Sequence, residues 1–181
     1  MTRLLSVAAA VALLTTLPAC DFNFSEGGDF QCRDGATASG TIGGLAFAAD
    51  CVEVGEGDGG LSIGAYRDYN YGDGDTDPVA GQDFASLRFR VGGNTVGTYT
   101  ITSTATSETY LDYFYSPGDD ITGRSTDVSI NATSGQVQLT SVTADRIAGT
   151  VTFSGPEFVG DNGGTATGET LTGSITFSVP R

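Results

Sequence analysis

The chain contains no lysine, no histidine and no tryptophan, and its eight basic residues are all arginine. One methionine, five prolines and three cysteines complete the list of scarce residues. Each shortage removes chemistry. Without histidine there is no histidine-based triad, no imidazole metal ligand and no histidine pH switch. Without lysine there is no Schiff base and no P-loop lysine. Eight arginines against 22 acidic residues give a formal charge of −14. That balance argues against nucleic acid as a partner, because phosphate contacts need clustered cations. The 27 glycines show no three-residue period, which excludes a collagen-like helix. An acidic, turn-rich, all-β domain is what remains.

The front of the chain reads as an address. Arg3 supplies a positive start, and Leu4 to Leu17 is apolar except for Ser6, Thr15 and Thr16. A run of about 14 residues fits a signal h-region and is short for a membrane-spanning helix. Leu17-Pro18-Ala19-Cys20 follows. A small residue before cysteine at this point resembles the lipobox of bacterial lipoproteins, although Pro18 is a less usual member of it. The resemblance implies a signal peptide over residues 1–19 and a thioether-linked diacylglycerol, with further acylation, on Cys20. An ordinary secretory signal cut near Ala19 is the alternative. Each buried lipid methylene contributes roughly 0.8 kcal/mol, so two or three chains together anchor firmly. The expected location is the bacterial cell envelope, at the outer membrane or cell surface, with the membrane itself as first partner. Losing Arg3 alone among charged residues, the mature chain would carry seven arginines against 22 acids, a formal −15.

Setting Cys20 aside leaves Cys32 and Cys51. An even remainder in an exported chain predicts one disulfide. It would close a loop of about 20 residues, for which chain entropy gives roughly 3 kcal/mol. Two free buried thiols are the alternative; the spacing does not suit a redox pair. Residues 20–36 are polar, acidic and glycine-bearing, and read as a flexible tether. Phe22, Phe24 and Phe30 are unusual in such a segment.

From about residue 37 the pattern turns to period two. Leu61, Ile63 and Ala65 alternate with Ser62 and Gly64, and Leu87, Phe89 and Val91 with Arg88 and Arg90. Val137 and Leu139 alternate with glutamines, and Ile175, Phe177 and Val179 with Thr176 and Ser178. One apolar face and one polar face is the signature of half-buried antiparallel strands. No stretch of the mature chain sustains a helical period. The expected fold is a single all-β domain over residues 37–181, an antiparallel β-sandwich or flattened barrel of about nine or ten strands. The Val137 and Val151 strands, separated by Ala144-Asp145, should form a hairpin.

An internal echo links Ile147-Ala148-Gly149-Thr150-Val151-Thr152-Phe153-Ser154 to Leu171-Thr172-Gly173-Ser174-Ile175-Thr176-Phe177-Ser178. Two copies do not make a solenoid. Two strands sharing one structural role, with Gly149 and Gly173 as bulges or close approaches, account for it. The runs Ser134 to Thr140 and Asp145 to Phe153, with Gly44-Leu45-Ala46-Phe47-Ala48-Ala49 and Gly97-Thr98-Tyr99-Thr100-Ile101, resemble uncharacterised domain families of small bacterial lipoproteins common in Bacteroidota. That resemblance covers roughly residues 37–181. It implies a lipid-anchored β-sandwich and carries over no activity.

Three constellations bear on function. Asp73, Asp75 and Asp77 alternate in an acidic segment that continues to Asp83, a pattern that can gather hard oxygens around Ca²⁺. Pro78 and Phe84 replace the glycine and glutamate of an EF-hand loop, so a looser Ca²⁺ site competes with a plain solvated turn region. Tyr69, Tyr71, Tyr113 and Tyr115 could stack on sugar rings, unless the 113/115 face is core. Twenty-two carboxylates make some close pair inevitable, so a carboxylate-only hydrolase stands a distant third. No serine or cysteine has a histidine or lysine to activate it. The expectation is therefore a lipid-anchored, non-catalytic lipoprotein with a structural, accessory or ligand-binding role. It needs no cofactor beyond the Ca²⁺ alternative. A surface module for polysaccharide or Ca²⁺, or a contact for an envelope protein, is the rival.

Overall fold

The computed structural model describes residues 32–57, 59–67, 84–102, 108–116, 127–160 and 164–181. Among these there are eleven strands and no helix. In chain order they are β1 (Thr37–Ile42), β2 (Leu45–Ala48), β3 (Cys51–Gly57), β4 (Gly60–Arg67), β5 (Phe84–Val91) and β6 (Gly97–Thr102). There follow β7 (Tyr110–Ser116), β8 (Val128–Asn131), β9 (Ser134–Val142), β10 (Arg146–Val159) and β11 (Thr165–Pro180). Every pairing is antiparallel. Nine strands lie on one continuous path, β2-β1-β11-β10-β8-β7-β5-β4-β3, and β9 with β6 branches from β10. The sheet curls into a half-barrel, the flattened form of the all-β closure that alternation predicts.

β10 and β11 are the spine, with 14 and 16 residues. β9 pairs with β10 over Ile147 to Ser154, forming the expected hairpin, and β8 takes over from Glu157 to Val159. The switch happens at two residues. The amide of Ala132 donates to Leu111 in β7, and the amide of Thr133 donates to Ser154 in β10. One strand edge thus serves two partners, and the sheet divides into two arms there.

The two copies of the repeated motif face each other across the β10–β11 ladder. Val151 pairs with Ile175, its own equivalent. Gly149 then stands opposite Phe177, and Phe153 opposite Gly173. The local pair is a two-fold, each phenylalanine filling the space above the other copy's glycine. A Cβ on Gly173 would meet the Phe153 ring at 2.3 Å, and one on Gly149 would meet the Gln138 carbonyl oxygen at 2.3 Å. Both glycines are close-approach points.

Curling brings the inner faces of the two arms together. Phe89 of β5 and Phe177 of β11 pack with ring centres 5.2 Å apart, and Phe47 of β2 meets Tyr113 of β7 edge-on at 6.5 Å. Leu61, Leu87, Val137, Ile147 and Ile175 are buried between them. The open side is stitched at two points. Cys32 is bonded to Cys51 at the start of β3, with Cα atoms 5.0 Å apart. Beside it the Arg33 amide donates to the Val52 carbonyl at 2.9 Å. Residues 32–36, read from sequence as tether, are therefore held against the sheet up to the start of β1. At the other end, Arg181 donates twice to the Glu56 carboxylate, both at 2.6 Å.

Candidate functional site

Cys20 and the acidic and aromatic candidates Tyr69, Tyr71, Asp73, Asp75, Asp77 and Asp83 lie outside the described residues. Tyr113 and Tyr115 do not. Alternation in β7 sends Phe114 to the outer face and both tyrosines inward. Tyr115 is only 3% exposed and Tyr113 is half-buried. The stacking platform expected of this pair is thus not an outer one. Phe114 instead joins Cys51, Tyr66 and Phe84 in a small apolar cluster outside the sheet, around the disulfide.

The tyrosines line a cavity at the mouth of the half-barrel. Its volume is about 150 Å³, and Ile42, Leu45, Ala46, Phe47 and Arg67 complete the wall. Arg67 follows Leu61, Ile63 and Ala65 in the inward register of β4. Its guanidinium lies 5.7 Å from the Tyr115 ring centre, and Nη1 donates to the Ala46 carbonyl at 3.5 Å. Leu45, 46% exposed, stands at the rim. An apolar space of this size suits a small ring or branched chain, and Arg67 sets one cation in its wall. Arg67 was not among the sequence candidates, although the inward period of β4, continued two residues past Ala65, points to it. Leu45 and Phe47 gave no such signal, because a four-residue strand shows too little period.

The outer face of the β3–β8 arm carries a charged row. Glu53, Gly64, Arg88, Asp112 and Asn131 are successive cross-strand partners. Tyr66 donates its hydroxyl to Glu53 Oε1 at 2.6 Å, and Arg88 Nε donates to Asp112 Oδ2 at 3.1 Å. Burial pushes the Glu53 carboxyl above the ordinary range, against the pull of Tyr66 and Arg88. Burial does the same to Asp112, against the pull of Arg88. The two carboxyls belong to strands three apart in the sheet and engage their own neighbours. They do not face one another across a cleft in the way paired-carboxylate hydrolysis requires. Among the described residues, no three acidic or cysteine side chains converge to hold a metal ion.

The remaining outer face differs in kind. From β6 through β9, β10 and β11 to β1, two central outward rows carry only threonine, serine and glutamine. Thr100, Gln136, Thr152, Ser174 and Thr41 form one cross-strand row. Compared with protein-family models, curated proteins and solved structures, the chain matches none.

Proposed function

We propose that this chain is an exported lipoprotein, anchored in the bacterial envelope through Cys20, whose β-domain serves a non-catalytic structural, accessory or ligand-binding role. The observation that carries the reading is the Cys32–Cys51 bond. Such bonds persist in oxidising compartments and are rare in reducing ones. Export calls for a signal, and the one at hand ends in a lipobox-like Ala19-Cys20. With Cys20 on lipid and the other two cysteines joined, every thiol in the sequence has a function. Globomycin should leave uncleaved precursor, and Cys20→Ala should abolish lipid labelling and release or stall the protein. Normal processing of Cys20→Ala to a soluble form at the same cut overturns the anchor.

A surface binding module is the second reading. The cavity beside Tyr113, Tyr115 and Arg67 favours it, since a few polar groups in an apolar concavity are the usual build of a small-ligand site. Its Ca²⁺ version rests on the acidic segment around Asp75. Titration with CaCl₂ should then give heat that Asp75→Ala removes, and a flat titration of the native chain ends that version.

A further inference from the structure

The molecule separates its charge from one large outer face. The chain has 22 acidic residues and eight arginines, and the arm from β3 to β8 shows Glu53, Arg88 and Asp112 outward in a single row. On the other arm, two central rows show none across five strands. The first is Thr100, Gln136, Thr152, Ser174 and Thr41; the second is Thr98, Gln138, Thr150, Thr176 and Ser39. Ala46 and Ala48 of β2 prolong these rows without adding charge. The first charged side chain met is Arg146 at the rim, which donates to Ser178.

The spacing of these groups is set by the sheet. Along a row, one outward side chain follows another about every 4.8 Å; along a strand, they recur about every 6.8 Å. Each hydroxyl both donates and accepts, and each glutamine amide does too. The face is therefore a ruled array of short, uncharged, two-way hydrogen-bonding groups.

Charge and composition limit what can lie on it. A polyanion finds no cation within these rows and is repelled by a molecule of formal charge −14. A second copy brings the same charge. A protein partner would need an interface core of aromatic residues, methionine or arginine, with little serine, and these rows hold none of the first three. An uncharged polymer dense in hydroxyls meets every condition. The row spacing is also close to the length of one pyranose unit in an extended β-linked chain.

We propose that this face binds a neutral, extended β-linked polysaccharide laid across the strands. The proposal does not rest on the lipid anchor, on Ca²⁺ or on the tyrosine-lined cavity. Each contact is weak, so binding requires many in register and a long chain; single sugars bind too weakly to detect. The attraction is also insensitive to salt, unlike charge-driven binding.

The test is affinity electrophoresis of the full chain in detergent, through native gels cast with hydroxyethylcellulose, xyloglucan, laminarin or anionic alginate. At least one neutral β-glucan should retard the protein, equally at low and high salt, and alginate should not. Gln138→Glu with Thr176→Glu places two charges in the second row, and should weaken binding about tenfold or more by leaving them desolvated against the polymer. Thr98→Val with Thr176→Val removes hydroxyls while keeping shape, and should weaken binding with an unchanged circular dichroism spectrum and melting temperature. Cys20→Ala should bind as the parent does, which separates this result from the fate of the anchor. No retardation by any neutral β-glucan, retardation by alginate, or binding untouched by both double variants would overturn the proposal.

Discussion

Gly173 and Asp112 show how much single positions decide. A methyl group on Gly173 would stand 2.3 Å from the Phe153 ring, so Gly173→Ala forces the ring or the ladder to move. Overpacking of this sort typically costs about 1–3 kcal/mol. Urea unfolding should show that loss, and Phe153→Leu in the same chain should recover part of it, a non-additive pair. Additive losses would mean that ring and glycine are not coupled. The carboxyls give a pH signature. Burial raises Glu53 and Asp112 above the ordinary carboxylate range, so the folded chain holds their protons to higher pH than the unfolded chain. Their contribution to stability therefore falls as pH rises from about 4 through the raised values. Glu56 has the opposite sign. The hydrogen bond from Arg181 lowers it, so its contribution is present above the ordinary value and lost as pH falls through the lowered one. Denaturant melts from about pH 3 to about pH 7 should show Glu53→Gln/Asp112→Asn removing a loss on the alkaline side, and Glu56→Gln removing a gain. Identical pH slopes in all three chains would contradict the assignment.

At the scale of the element, strand content was written plainly in the alternation, because a strand with one wet face repeats every two residues. The β9–β10 hairpin was equally legible. The echo between β10 and β11 was visible as a repeat, but its meaning was not: only the register, with Val151 against Ile175, shows it to be a two-fold. The branch at Ala132 and Thr133 left no signature, since exchanging one partner strand for another alters no local period. Of the candidate groups, the Cys32–Cys51 pair was found by arithmetic alone. The Tyr113/Tyr115 pair was ambiguous, because Phe114 is as apolar as its neighbours and both faces of that strand are covered. The disulfide matters for what it holds. It fastens the segment beginning at Cys32 to β3, a terminal strand of the sheet path. Cys32→Ser/Cys51→Ser should cost about 3 kcal/mol by chain entropy. Hydrogen exchange should quicken first at the Arg33 amide and along β3. Uniform quickening throughout the domain would assign the bond no local role.

On the scale of the whole molecule, the missing residue types and the charge form one pattern. A domain without lysine, with a charged outward row on one arm and two uncharged hydroxyl rows on the other, is suited to staying hydrated. Held on lipid, it would present those rows from the envelope. That presentation depends on the lipid at Cys20, and the mass of the first peptide of the mature protein, purified from the envelope fraction, decides whether it is there. The expected peptide begins at Cys20 and is heavier than its sequence by a diacylglyceryl group and usually by a further acyl chain. A peptide beginning at an unmodified Cys20, or one that retains residues before it, would contradict the anchor.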